Sequence, residues 1–204
     1  MMTFLEKILK RCLDLVGGII GLVLSTPIFC IAAVAIKLDS PGPVFYSHER
    51  AGINGKPFRF YKLRSMVVDA DRQAAEVLVK QSHIQGAAYK VQNDPRVTRV
   101  GRFLRRWSLD ELPQFLNVIK GEMSLVGPRP DEIWVVAQYS EQERKRLGVK
   151  PGLTGPMQIS GRGDLNMEQR LALEMDYIQN YSFRKDLEII LKSVRVVLSG
   201  KGAY

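Results

Sequence analysis

The stretch LVGGIIGLVLSTPIFCIAAVAI, residues 15–36, carries no charge over its whole length. As a helix, these 22 residues are long enough to cross the hydrocarbon core of a bilayer. A cleaved signal peptide has a shorter apolar core followed by small residues, whereas this stretch continues into KLDSPGP. The sequence therefore predicts a retained N-terminal membrane helix over residues 1–38, followed by a single domain over residues 39–204.

Pro27 lies near the middle of the apolar stretch and removes one backbone hydrogen bond from a helix. The hydroxyls of Ser25 and Thr26, directly before it, can cap the backbone groups that become free. Two topologies are open: a kinked helix that crosses the membrane once, and a re-entrant helix that breaks at Ser25, Thr26 and Pro27 and returns. Basic residues flank the stretch on both sides, and positive charge marks the cytoplasmic side, so the re-entrant form is favoured.

The net charge of +9 fits either nucleic acid or anionic membrane lipids as partners. Lysine and arginine beside a membrane helix are explained by anionic lipid, and no separate aromatic or helix-reading surface for nucleic acid is evident. We therefore expect anionic lipids and no nucleic acid. Cys12 and Cys30 would lie about 27 Å apart on a continuous helix and cannot pair, which fits a domain on the reducing cytosolic side.

Two further patterns predict the elements of the domain. Asn54-Gly55, between two runs rich in aromatic and β-branched residues, indicates a β-hairpin that packs beneath the membrane helix. NDPRVTRVGRFLRRW predicts a basic amphipathic helix capped by Asp94, and a second amphipathic helix covers residues 187–198. The expected fold class is α+β and mostly helical, with a re-entrant membrane helix, a short β-hairpin and amphipathic interfacial helices around a cytosolic catalytic core.

Asp110 and Glu111 stand side by side in RRWSLDELPQFLNV. SLDE matches a helix-capping box, which would make both acids structural. Pro113 limits that interpretation, because a helix that accommodates it begins around residues 109–112, with both acids at its positive end. The upstream arginines would then favour the ionised form of both carboxylates. Adjacent helical residues diverge by about 100°, so we expect the two acids to point apart and to have different roles.

Arg129 lies between Pro128 and Pro130, which hold the backbone stiffly. A guanidinium fixed in this way can bind a phosphate or diphosphate through two hydrogen bonds. An arginine between prolines can also be an ordinary surface turn. Neither His48 nor His83 has a companion at metal or triad spacing, so both are interpreted as surface or structural residues.

Five motifs in order carry a resemblance: YKLRSM (61–66), SLDELPQFLNV (108–118), KGEMSLVGPRP (120–130), KPGLTG (150–155) and SGRGD (160–164). Together they resemble the bacterial sugar transferases, in the small form of the monotopic phosphoglycosyl transferases. The resemblance implies transfer of a sugar 1-phosphate from a UDP-sugar to undecaprenyl (polyprenol) phosphate, with release of UMP. It also implies magnesium as cofactor and a place at the cytoplasmic face of the bacterial inner membrane, at the first membrane step of glycoconjugate or exopolysaccharide synthesis.

The resemblance also assigns residues. Asp110 is implied as the nucleophile that forms a covalent phosphosugar-aspartyl intermediate, with Glu111 as its partner in metal or proton handling. Both carboxylates are implied as Mg²⁺ ligands. Substrate binding is expected from Arg105, Arg129, Thr154 and Arg162. Ser25, Thr26 and Pro27 correspond to the family's membrane-helix break, and the extra threonine leaves open which hydroxyl caps it.

Two other classes compete with this enzyme, namely a basic nucleic-acid-binding protein and a membrane-anchored scaffold. A scaffold accounts for the membrane helix, but it leaves the paired acids and Arg129 without a common purpose. The sequence identifies neither the sugar nor the pathway, and it leaves a homodimer open.

Overall fold

The computed structural model describes residues 3–70, 72, 94–161 and 165–199. Its first element is helix α1, Phe4–Asp39, which confirms the predicted long apolar helix. Thr3 caps its first turn, since the hydroxyl accepts from the Glu6 N–H while the Glu6 carboxylate accepts from the Thr3 N–H. In the part of the chain that the structure describes, α1 is the one helix long and apolar enough to cross a membrane.

Helix α1 buries only a narrow stripe against the rest of the protein. The buried residues recur at intervals of four and seven: Asp14, Gly18, Ser25, Ala32 and Ile36. The remaining faces stay exposed and apolar; for example, Val23, Leu24 and Ile31 are 64, 68 and 73% exposed. A continuous apolar surface of this extent is costly in water, so it fits contact with lipid.

Pro27 lies inside α1, and the helix continues through it without interruption. Ser25 Oγ donates to the Gly21 carbonyl at 2.6 Å, and Thr26 Oγ1 donates to the Leu22 carbonyl at 3.2 Å. The carbonyl that Pro27 cannot pair is that of Val23, four residues before it. The expectation that these hydroxyls cap the freed backbone group is therefore wrong: both bond back one turn, a pattern that bends helices. The return of the chain within a membrane stays a prediction.

Strands β1, Phe45–Ala51, and β2, Pro57–Leu63, form the predicted antiparallel hairpin. Asn54 and Gly55 both have positive φ, 55° and 75°, which is the backbone conformation that this residue pair adopts most readily. Leu63 packs with Ala32 and Ile36, so the hairpin lies against α1 as predicted.

The elements after the hairpin are short until the last two helices. They are α2, Arg99–Arg106; a 3-10 turn, Leu109–Gln114; α3, Phe115–Lys120; β3, Ser124–Val126; α4, Ile133–Ala137; α5, Glu141–Arg144; a 3-10 turn, Lys145–Gly148; β4, Gly152–Thr154; α6, Pro156–Ser160; α7, Met167–Gln179; and α8, Phe183–Ser199. Strand β4 pairs in parallel with β3. The main core, around Phe60, Val118, Met123, Val126 and Ile189, joins the hairpin to α3, β3 and α8. Over the described residues, the fold is thus mostly helical with two small sheets.

Helix α2 begins later than predicted. Its N-cap is Thr98, whose hydroxyl accepts from the Gly101 N–H at 2.9 Å, and not Asp94. The reason is that Val97 forms a β-bridge with Met66, which keeps the preceding backbone extended. Asp94 instead forms an ion pair with Arg96 at 2.7 Å.

Helix α8 presents its apolar face away from the core. Leu191, Val194 and Leu198 are 69, 56 and 69% exposed, whereas Asp186 and Ile189 are buried against the body. The predicted amphipathic pattern is present, and most of its apolar side points outward, although Ile190 packs against the core. An outward apolar face of this kind is typical of a helix that lies in a membrane interface.

Candidate active site

Asp110 and Glu111 lie in the first turn of the 3-10 segment Leu109–Gln114, directly before α3. Ser108 has a left-handed backbone (φ 54°), and its side chain makes no capping hydrogen bond. The capping-box interpretation is therefore wrong. Pro113 lacks the N–H that an α-helix needs, so the chain forms a tighter turn here and the α-helix begins only at Phe115.

Lys62 from β2 joins the two carboxylates. Its ammonium nitrogen lies 3.1 Å from Glu111 Oε1 and 3.6 Å from Asp110 Oδ2. The expectation that adjacent acids point apart is wrong, because the tight turn lets both side chains reach one cation. Sequence reasoning missed Lys62, although it belongs to the YKLRSM motif, because a lysine on a strand is ordinarily a solvated surface residue.

Arg129 also binds the Glu111 carboxylate. Its two terminal nitrogens donate to Glu111 Oε2 at 3.2 Å and to Glu111 Oε1 at 2.5 Å. Arg129 is therefore not the ordinary surface turn that its two prolines also allowed. The structure brings together Asp110, Glu111 and Arg129, three of the residues expected in the site, and adds Lys62.

Arg105 lies on the Asp110 side of this cluster. Its Nε donates to Ser65 Oγ at 2.9 Å, and its charge acts on Asp110 without a direct ion pair between their described atoms. Burial lowers the pKa of Arg105, and the charge of Asp110 opposes that effect. Arg105 is thus a half-buried cation near Asp110 whose terminal nitrogens are not bound to a carboxylate of the described residues.

The two acids have opposite pKa shifts. Burial alone would raise the pKa of Glu111, but Arg129 and Lys62 together hold it well below its usual range. Burial raises the pKa of Asp110, the charge of Glu111 adds to the rise, and Lys62 and Arg105 offset it only in part. The expectation that the surroundings favour ionisation holds for Glu111 and is wrong for Asp110.

One expected substrate-binding residue, Thr154, lies outside this cluster. The Thr154 hydroxyl on β4 contacts Ser193 Oγ of α8 at 2.5 Å, and no hydrogen bond or ion pair among the described residues joins it to Asp110 or Glu111. The nearest link is indirect, since the Thr154 carbonyl accepts from the Gly127 N–H, two residues before Arg129. Arg162 lies outside the described residues.

His48 lies on β1, two residue pairs along the hairpin from Lys62. Its Nε2 accepts from Arg50 Nε at 2.7 Å, so this nitrogen is unprotonated. Burial and the neighbouring Arg50 and Lys62 lower the pKa of His48 to about 3, and the ring is neutral at physiological pH. This supports its interpretation as a structural residue; His83 lies outside the described residues.

The carboxylate pair fits magnesium only together with a substrate. Within residues 3–70, 94–161 and 165–199, no three His, Cys, Asp or Glu side chains cluster to hold a metal ion. Magnesium is commonly bound by one or two carboxylates, with water and substrate phosphate completing the octahedron. Asp110 and Glu111 match that number of carboxylates, and the positive charges of Lys62, Arg105 and Arg129 act on them.

A family profile described as bacterial sugar transferase matches residues 5–200. The chain belongs to this family. Its relatives include the galactosyl transferase CpsE of Streptococcus agalactiae, 44% identical, with 96% of this chain and 43% of that protein covered. The exopolysaccharide production protein ExoY of Rhizobium meliloti is 42% identical, with 96% and 88% covered.

A third bacterial sugar transferase relative is the UDP-glucose:undecaprenyl-phosphate glucose-1-phosphate transferase of Escherichia coli K12. It is 42% identical to this chain, with 98% of this chain and 42% of that protein covered. The chain thus spans less than half the length of two of these three relatives, CpsE and the Escherichia coli protein. The names of these relatives include both a galactosyl and a glucose-1-phosphate transferase, so similarity alone does not select a sugar.

Proposed function

We propose that this bacterial sugar transferase moves a sugar 1-phosphate from a UDP-sugar to undecaprenyl phosphate. The observation that carries the proposal is the convergence of Lys62 and Arg129 on Glu111, directly beside the buried Asp110. A nucleophile for phosphorus and cations for a diphosphate are thereby within one cluster. Relatives named as undecaprenyl-phosphate sugar transferases support the choice of donor and acceptor.

In the proposed first step, an Asp110 carboxylate oxygen attacks the phosphorus that carries the sugar. A new P–O bond forms, the bond to the bridging oxygen of the diphosphate breaks, and UMP leaves with that oxygen. In the second step, a phosphate oxygen of undecaprenyl phosphate attacks the same phosphorus and releases the Asp110 carboxylate. Two displacements allow the soluble donor and the lipid acceptor to bind in turn.

The cations of the site have distinct places in this scheme. Burial raises the pKa of Asp110, and Lys62 opposes that rise, which favours the ionised form of the nucleophile. Arg129, once a substrate phosphate competes with Glu111, can direct its paired N–H donors to the diphosphate. Asp110 and Glu111 would hold Mg²⁺, which, when bound, neutralises the diphosphate and stabilises the leaving group.

The contacts of α1 support a re-entrant arrangement, and the basic residues on both flanks favour the cytoplasmic face for the body. Near its start, Lys10 forms an ion pair with Asp186 at 2.7 Å; at its end, Asp39 accepts from the Val100 N–H at 2.9 Å. Lys10 and Asp39 are 29 residues apart, about 44 Å on a straight helix, whereas a bilayer core is about 30 Å thick. One folded body makes polar contacts at both ends, which favours placing both ends on one side.

The test uses membrane-extracted protein with Mg²⁺, undecaprenyl phosphate and separate UDP-sugars, UDP-glucose and UDP-galactose first. UMP and an undecaprenyl diphosphate sugar should form together in equal amounts with at least one donor. Release of UDP instead of UMP would mean transfer of the sugar without its phosphate and would contradict the proposal. A protein that bound lipid vesicles and released neither nucleotide from any donor would support the scaffold instead.

A further inference from the structure

The Arg129 backbone is held by buried charged side chains that have no place in the chemistry proposed above. Its N–H donates to Glu174 Oε1 of α7 at 3.2 Å. Its carbonyl accepts from Arg146 at 2.9 Å and from Arg170 at 2.9 Å. Both peptide groups of one residue are therefore fixed by side chains that lie 17 to 45 positions further along the chain.

These side chains form a closed ring of ion pairs. Glu174 pairs with Arg146 at 2.6 Å and with Arg170 at 3.3 Å. Asp131 pairs with the same two arginines, at 2.9 Å for Arg170. The ring holds two acids and two bases, so it is neutral as a whole.

The ring is also well buried, with 0% side-chain exposure at Glu174 and 4% at Arg146. Buried ion pairs of this kind are seldom a net source of stability compared with apolar packing, so their retention calls for another reason. The direct contact of three ring members with the Arg129 backbone supplies one.

The guanidinium of Arg129, here its front, and the backbone of Arg129, here its back, have different kinds of contact. At the front, the guanidinium contacts Glu111, a contact that a phosphate can replace. At the back, the peptide groups contact the ring, whose Glu174 and Arg146 side chains are almost fully buried. The neighbouring backbone is fixed as well, because the Gly152 N–H donates to the Pro128 carbonyl at 2.8 Å.

We propose that Glu174, with Arg146 and Arg170, is a positioning residue that sets where the Arg129 guanidinium meets the donor diphosphate. The proposal rests on the proposed function. Glu174 is central because it contacts the Arg129 N–H and both arginines of the ring. A shift of the Arg129 backbone by a fraction of an ångström would misplace both phosphate hydrogen bonds at once.

The test is a double-mutant cycle. Glu174→Gln keeps the size and one oxygen acceptor but removes the charge that balances Arg146 and Arg170. We expect kcat/KM for the UDP-sugar to fall about tenfold in the wild-type background and less than about twofold in an Arg129→Lys background. Equal losses in both backgrounds would overturn the proposal, because a general structural effect does not depend on Arg129. Unchanged kcat/KM in Glu174→Gln would overturn it as well.

Glu168→Gln is the matched control, because this residue is exposed on the same helix and forms no ion pair among the described residues. If Glu174→Gln does not fold, Arg170→Gln removes one donor to the Arg129 carbonyl and leaves the pair of Arg146 with Glu174. Equilibrium binding of UDP to the Asp110→Asn protein, with and without Glu174→Gln and with and without Arg129→Lys, is the readout independent of turnover. Weaker UDP binding only where Arg129 is present supports the positioning role even if the covalent mechanism fails, whereas absence of UMP in the wild type contradicts the proposed function alone.

Discussion

The Lys62 ammonium lies 3.6 Å from a carboxylate oxygen of Asp110, and the two residues come from different elements of the fold. Strand β2 supplies the lysine and the 3-10 turn supplies the aspartate. The lysine is a cation held beside a buried acid, in a position where its charge counts more than on an open surface.

We expect Lys62→Met to lower kcat at least about tenfold, because Asp110 loses the cation that favours its ionised form. Lys62→Arg should retain part of the activity, since it keeps the charge but not the shape of the ammonium. UMP release measures both variants. Lys56→Met, on the exposed hairpin turn, is the matched control and should keep wild-type activity. Full activity in Lys62→Met would remove Lys62 from the site.

Features set by neighbouring residues in the sequence could be predicted, whereas features set by contacts between distant residues could not. Helix α1 and the hairpin follow from hydrophobic pattern and the Asn54-Gly55 pair, and both were predicted correctly. The convergence of Lys62 with Asp110 and Glu111 was missed, because it depends on packing across 49 sequence positions and on the turn that Pro113 imposes. The start of α2 was misplaced for a similar reason, since a long-range bridge decided it and not the Asp-Pro pair.

Topology can be tested by labelling single cysteines in intact cells, with Cys12 and Cys30 replaced. Cysteines near Thr3 and near Ser199 should both be protected from a membrane-impermeant reagent applied outside, because polar contacts at both ends of α1 involve one body. Labelling of the Thr3 site alone would show a helix that crosses the membrane. Replacing Pro27 with alanine, and Ser25 and Thr26 with apolar residues, removes the features that bend the helix and should favour crossing.

Acid sensitivity should be measurable at Asp131. Burial opposes its ionised form, but Arg170 and Arg146 lower the pKa of Asp131 to about 2, below the usual 3.8. A lowered folded-state pKa stabilises the fold above the unfolded pKa, and this contribution is lost as the pH falls from about 4 towards 2. Its size is on the order of 2 kcal/mol.

The measurement is thermal unfolding of the solubilised protein between pH 5 and pH 2. Asp131→Asn should lower the unfolding temperature at pH 5 and flatten its decline below pH 4. The exposed Glu141→Gln leaves this carboxylate in place and should follow the wild-type curve. An Asp131→Asn curve parallel to that of the wild type would mean that other carboxylates cause the acid sensitivity.

Glu111→Gln should slow turnover without abolishing the covalent step. Glutamine keeps the shape, but it leaves Arg129 and Lys62 without the carboxylate that both contact. We expect UMP release to slow roughly a hundredfold, within the range for a group that assists proton or metal handling. A phosphosugar adduct should still accumulate on the protein without lipid acceptor, and its complete absence would give Glu111 a more direct part in bond formation.

Asp110→Asn tests the nucleophile itself. Asparagine keeps the size and can form the same turn, but it lacks the charge needed to attack phosphorus or to bind Mg²⁺. We expect activity to fall at least about a thousandfold while the unfolding temperature stays close to that of the wild type.

The direct measurement incubates the wild-type protein with its UDP-sugar and Mg²⁺, without undecaprenyl phosphate, and locates the adduct by peptide mass spectrometry. A sugar-phosphate on the peptide that contains Asp110, absent from Asp110→Asn, is the expected result. If that variant turned over at the wild-type rate, or if the adduct lay on another residue, Asp110 would be a buried structural acid and the two-step mechanism would need a different nucleophile.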